Sequence, residues 1–171
     1  MFKLNHFFSS KFKIKKSKIH SKGAFAKKNI KKGEIIAEYY GKKISKKQSE
    51  NLYEEMIENH KKDPSKASVY TFDLDDNYDL NGNVWWNLAK YINHSCDPNC
   101  ESETITKNKE SKIVIKAIKN IKKGNEINFN YGYDVTNWKD HPCYCGSKNC
   151  VGYIVCEKQW PKLKKLKSKL K

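Results

Sequence analysis

The phrase Asn29-Ile30-Lys31-Lys32-Gly33-Glu34-Ile35 returns late in the chain as Asn120-Ile121-Lys122-Lys123-Gly124-Asn125-Glu126-Ile127. In both places Lys-Gly supplies a tight turn, because glycine enters positive φ without steric cost, and an aromatic strand ending in Gly follows. Two copies are too few for a solenoid, whose repeats must stack into a continuous core. The repetition predicts two turn-and-strand units inside one domain, a size that 171 residues support.

Four runs read as short strands, one of them the strand after the first copy: Phe12–Lys15, Ile35–Tyr40, Val69–Leu74 and Lys112–Lys116. They are brief, rich in β-branched and aromatic residues, and bounded by Gly, Asn or Lys. One segment is convincingly helical. Ser45 and Gln48 form a capping box, and Leu52, Tyr53, Met56, Ile57 and His60 follow at helical spacing until Pro64 blocks extension. The expected architecture is therefore mostly β with one inserted helix. Residues 161–171 alternate Leu and Lys; the alternatives are an amphipathic helix, a tail for acidic surfaces, or a frayed end, and the frayed end is the expectation.

A hydrophobic content of 37% is that of a folded chain, and no run approaches the ~18 apolar residues of a membrane span. The first residues lack the apolar core and cleavage site of a secretory leader, so an intracellular setting, or export by another route, is expected. The net charge of +16 suits attraction to nucleic-acid phosphate. However, all 35 basic residues are Lys, a pattern that codon bias also produces, whereas phosphate recognition favours Arg forks. Six cysteines at 96, 100, 143, 145, 150 and 156 cluster in a way that suggests metal binding before disulfides.

Three motifs complete the picture: Asn93-His94-Ser95-Cys96-Asp97-Pro98-Asn99-Cys100, then Phe129-Asn130-Tyr131-Gly132, then Cys143-Tyr144-Cys145-Gly146-Ser147-Lys148-Asn149-Cys150. Their order and spacing resemble the SET-domain protein lysine methyltransferases with a zinc-binding post-SET tail, from about Lys11 to Ile154. The fold this resemblance implies is a SET-type β-clip of several small sheets with a knot-like C-terminal segment. The implied organisation is a flexible lead-in at 1–10, a catalytic SET domain at 11–134 with a helical insert at 44–68, a post-SET zinc segment at 135–158 and a basic tail at 159–171.

The resemblance also implies chemistry. S-adenosyl-L-methionine would donate a methyl group to a protein lysine. A free lysine amine has a pKa near ~10.4, so a dry aromatic channel is needed to favour its neutral form and to tolerate cationic products. Candidate walls are Tyr70, Tyr91, Phe129, Tyr131, Tyr133 and Trp138. By resemblance Tyr131 is the catalytic tyrosine, and Phe129 occupies the Phe/Tyr switch that sets how many methyl groups are added. A Phe there implies di- or trimethyl-lysine. Tyr70, Tyr91, Phe129 and Tyr133 would form the lysine channel. Cofactor contacts would come from Lys22, Gly23, Ala24, Tyr70, Asn93, His94 and Tyr131. Zinc would be held by Cys143, Cys145 and Cys150 with Cys96 as the fourth ligand; Cys100 and Cys156 are rivals for that place.

Some positions depart from the family pattern: Ser21 for a first Gly, Asn81-Gly82-Asn83 followed by Trp85-Trp86-Asn87, Gly41-Lys42 for Gly-Glu, and Lys90 for Arg. No Cys-rich pre-SET region precedes residue 12, which is similar to the compact stand-alone members of the family. The expected activity is lysine methylation of a histone tail. The alternatives are a non-histone protein substrate or a catalytically silent peptide-binding module. Nonspecific DNA attraction, no membrane contact, and a place at chromatin in a eukaryote or host cell, otherwise in the cytoplasm, complete the expectation.

Overall fold

A computed structural model describes residues 11–62, 70–108 and 110–169. The expected lead-in at 1–10, the stop at Pro64, the strand start at Val69 and the last two residues of the tail lie outside the described residues.

The described chain runs β1 (Phe12–Lys16), β2 (Lys22–Ala26), β3 (Ile35–Tyr39), β4 (Lys42–Ser45), α1 (Lys46–Lys62), β5 (Thr71–Asp73) and β6 (Tyr78–Asn81). It continues through β7 (Asn93–His94), β8 (Cys100–Lys107), β9 (Glu110–Ala117), β10 (Glu126–Phe129) and α2 (Trp160–Ser168). Seven strands join in one sheet, ordered β1-β2-β10-β8-β9-β3, with β7 paired to β10; β4, β6 and β5 make a second sheet. The mostly β fold with an inserted helix is the one expected. In β9 the consecutive residues Ile113, Val114 and Ile115 are all buried, as a strand covered on both faces requires.

The two copies of the repeated phrase lie against each other. Ile30 and Ile121 exchange amide-to-carbonyl bonds, both 2.8 Å, and both side chains are buried. The amide of Gly33 donates to Ala117 O and that of Gly124 to Ala26 O, at 2.8 and 2.9 Å. The two glycines have φ of +88° and +89°, the conformation that explains why each turn needs Gly.

At the start of α1 both capping-box bonds form. The Ser45 amide donates to Gln48 Oε1 at 2.9 Å, and the Gln48 amide donates to Ser45 Oγ at 3.2 Å. The helix half-buries Ser49, Tyr53, Met56 and Ile57 along one face, while Leu52 stays exposed. This face lines two hollows and contributes nothing to either buried core cluster.

The frayed end expected for 161–171 is corrected by α2. Leu163 is buried and packs with Val135, Trp138 and Val155 into a second core, which gives the segment a reason to fold. Trp160 Nε1 donates to Val155 O at 3.1 Å, and Pro161 sits in the first turn, where its missing N–H costs nothing.

Candidate active site

Strand β10 brings the separated motifs together. It runs parallel to β7 with Asn128 beside Asn93 and Phe129 beside His94, and Phe129 also pairs with Cys100 of β8. Just past β10, the Tyr131 amide donates to His94 Nδ1 at 3.1 Å, and the Tyr131 phenol donates to Ile92 O at 3.0 Å. One bond from its backbone and one from its side chain therefore fix Tyr131 against β7 and the residue before it.

Around them lies a cavity of about 360 Å³, within the range of small-molecule sites. Tyr70, Tyr91, Tyr131, Tyr133, Asn93 and His94 line it, with Ser21 and Lys22 at one side and His141 to Tyr144 at another. Lys22 Nζ lies 5.4 Å from the Tyr91 ring, and Lys90 Nζ lies 5.8 and 5.5 Å from the rings of Tyr70 and Tyr91. This corner is cationic, aromatic and suited to a carboxylate. A second hollow of about 680 Å³, lined by α1, β5 and β6, shares Tyr70 and Met56 with the first.

Of the expected cofactor residues, Lys22, Tyr70, Asn93, His94 and Tyr131 meet at the cavity, while Gly23 and Ala24 are buried in β2 and are not among its lining. Gly23 answers to a different constraint. A Cβ there would stand 2.2 Å from Glu126 Oε1, so the glycine makes room for that carboxylate. Glu126 in turn accepts from Ser17 Oγ at 2.7 Å and from Asn93 Nδ2 at 2.8 Å, and Asn93 Nδ2 also donates to Lys22 O at 3.0 Å. Asn93 thus holds the Lys22 backbone at the cavity edge. Nothing in the sequence pairs Glu126 with Gly23; only the sheet does.

Among the expected channel residues, Tyr70, Tyr91 and Tyr133 line the cavity, and Phe129 stands behind them, buried between Phe72 and Tyr131 at ring separations of 5.8 and 4.9 Å. Tyr39 extends the array to Phe72 at 4.5 Å. Trp138 is corrected as a wall candidate: it is buried in the second core, edge-on to Tyr153 at 4.4 Å, because Val135, Val155 and Leu163 gather there. Burial, reinforced by neighbouring tyrosines, pushes the phenols of Tyr131 and Tyr133 well above their ordinary range. Tyr131 therefore stays a protonated donor at neutral pH. The same dryness disfavours a charged amine placed beside it.

Cys96, Cys143, Cys145 and Cys150 present sulfurs all within 4.8 Å of one another, and Cys96 and Cys143 Sγ are 3.8 Å apart. A tetrahedral zinc with bonds of ~2.3 Å spaces its sulfurs by about 3.8 Å, so the donor set fits that ion. The contact makes the two thiols unequal: the hydrogen bond from Cys143 drives Cys96 toward thiolate and raises Cys143. Cys100 stands apart, its thiol pushed up to about 12 by burial, and Cys156 also lies outside the cluster.

A β-rich clip that sets a half-buried tyrosine against an Asn-His strand, with a four-cysteine cluster beside it, defines the class of SET-type folds. Residues 21–132 match the SET domain, and the chain belongs to that family. It is 36% identical over 148 residues to histone-lysine N-methyltransferase SETD1B of Homo sapiens, covering 86% of this chain and 7% of that protein. It is 35% identical over 155 residues to histone-lysine N-methyltransferase set-2 of Caenorhabditis elegans, covering 90% of this chain and 10% of the relative. To histone-lysine N-methyltransferase trr of Drosophila melanogaster it is 33% identical over 139 residues, covering 80% and 5%. The chain thus spans a tenth or less of the length of these relatives.

Proposed function

We propose that this chain is an S-adenosyl-L-methionine-dependent protein-lysine N-methyltransferase acting on a histone tail. The observation that carries the reading is the fixed placement of Tyr131 at a tyrosine-walled cavity, its amide bonded to His94 of β7 and its phenol to the adjoining Ile92 O.

The cofactor, when bound, supplies a sulfonium methyl that passes to the lysine nitrogen as the carbon–sulfur bond breaks and its electron pair stays on sulfur. Everything else falls to the chain. The cationic corner of Lys22 and Lys90 suits the carboxylate of the cofactor's amino-acid end. Tyr70 and Met56, shared by both hollows, mark where a lysine entering from the second hollow would reach the first. Burial of the tyrosines keeps that passage dry and favours the neutral amine, and holding both reactants in line replaces a bimolecular encounter. The phenol of Tyr131 is tied to Ile92 O, so its oxygen lone pairs face the reaction and not its proton. Phe129 offers no hydroxyl to hold a water or a partly methylated amine, which supports a di- or trimethyl product. Zinc held by Cys96, Cys143, Cys145 and Cys150 would bind the C-terminal segment to the bend that follows β7 and contribute folding energy there.

The names of the relatives favour a histone substrate and a place at chromatin, where the Lys-rich surface would be drawn to DNA. No described helix is long and apolar enough to cross a membrane. Labelled cofactor, offered with histones, nucleosomes and a cell lysate, tests the reading. Histone labelling is expected; labelling of other lysate proteins alone would move the substrate elsewhere, and no cofactor affinity at all would point to a silent binding module.

A further inference from the structure

His94 is buried and spends both ring nitrogens on the protein. Its Nδ1 accepts the Tyr131 amide at 3.1 Å, and its Nε2 stands 3.6 Å from Cys96 Sγ. An amide can only donate, so Nδ1 carries the lone pair and the ring hydrogen sits on Nε2, aimed at the sulfur. Cys96 Sγ is itself 3.8 Å from Cys143 Sγ, and the Cys96 amide points to Cys145 Sγ at 3.5 Å. The ring also packs edge-on against that of Tyr131, at a centroid distance of 5.4 Å.

We propose that His94 is a positioning residue whose ring couples the four-cysteine cluster to the backbone of Tyr131, so that metal occupancy sets the placement of the catalytic phenol. This rests on the reading of that cluster as a metal site. One N–H···S bond steadies the sulfur on one side of the ring, and one N–H···N bond steadies residue 131 on the other. A ring held at both nitrogens cannot rotate to release one partner alone. Loss of the metal would free Cys96, then the ring, then the amide of Tyr131. Outer partners of this kind govern both the ligand and its metal, and their removal typically costs about tenfold or more in affinity. The ring has no nitrogen left for a small molecule, so any cofactor contact at this position falls to its backbone.

Two substitutions divide the two bonds. Asn places its amide near Nδ1 of the histidine, and Gln places its amide near Nε2. His94→Asn should retain an acceptor for Tyr131 and lose the donor to Cys96; His94→Gln should do the reverse. With cobalt in place of zinc, His94→Asn is expected to shift the sulfur-to-cobalt absorption band and weaken cobalt binding about tenfold. In nitrogen-15 spectra the Tyr131 amide resonance should move when a chelator strips the metal from the wild type, and should cease to respond in His94→Asn. A Tyr131 amide that ignores the metal in the wild type, or responds equally in both proteins, overturns the proposal. If neither variant folds, the imidazole nitrogen-15 shifts of the metal-loaded wild type decide: hydrogen on Nε2 supports the link and hydrogen on Nδ1 refutes it. Failure of the wild type to take up cobalt would instead refute the metal reading, and the imidazole shifts of the metal-free protein would still judge the hydrogen bond between His94 and Tyr131.

Discussion

Asn29 and Asn120 cap each other's turns. The Asn29 side-chain oxygen accepts the amide of Lys123 at 2.8 Å, and the Asn120 oxygen accepts the amide of Lys32 at 2.9 Å. Between them Ile30 and Ile121 form a reciprocal bridge that joins the β2–β3 connection to the β9–β10 connection. The prediction is that Ile121→Ala costs about 2–5 kcal/mol of stability, the range for a buried truncation. Ile30→Ala combined with it should show a coupling of ~0.5–3 kcal/mol, as contacting residues do. Urea unfolding of the four proteins measures both; strict additivity would show the two turns to be independent.

Ser21 holds φ of +34° at the cavity edge, a conformation that costs a residue with a side chain roughly 1–3 kcal/mol. Ser21→Gly relieves that strain but adds unfolded-state freedom, so a net gain of about 1 kcal/mol is expected. A thermal melt reads it, and a lower melting temperature for the glycine variant would show that this backbone is unstrained.

Cys145→Ser should lose the metal and open the segment after Val135 to hydrogen exchange, leaving β8, β9 and β3 protected. Full metal content in the variant would place the site elsewhere.

Asp134 accepts bonds from the Thr136 hydroxyl, from Gln159 Nε2 at 2.7 Å and from the Thr136 amide at 2.8 Å, which together lower its carboxyl to about 2. A depressed folded value means that the stabilising contribution is complete above the ordinary value of 3.8 and fades as pH falls toward 2. The wild type should therefore exceed Asp134→Asn in stability at neutral pH, with the gap closing in that acid window. A gap of constant size down to pH 2 would contradict it.

Much of this was legible because the signals were local. Ser45 and Gln48 are three residues apart, and the box they predict forms with both bonds. The cysteines of the late cluster likewise declare themselves by spacing. The strands β2, β6 and β7 were not readable, being two to five residues long and carrying Lys, Asp or Asn, so only pairing across the sheet makes them strands. The helix α2 is hard to read for a related reason. Its Lys-rich turns carry little apolar signal, and Leu163 acquires a partner only when Val135, Trp138 and Val155 converge on it. Pro161 in the first turn was the signal available. Glu126 and Ser17 escape a sequence reading because Glu126 meets Ser17, Asn93 and Gly23 only across the folded sheet, far from its own place in the chain.

The most direct test compares methyl transfer to a histone tail by the wild type and by Tyr131→Phe, with metal content and fold verified in both. The account predicts transfer to lysine by the wild type and a fall in turnover of about 10²-fold in the variant, the scale of losing one oriented polar group at a reaction centre. Equal turnover in the two proteins would contradict it, since the phenol held on Ile92 O would then have no part in the chemistry.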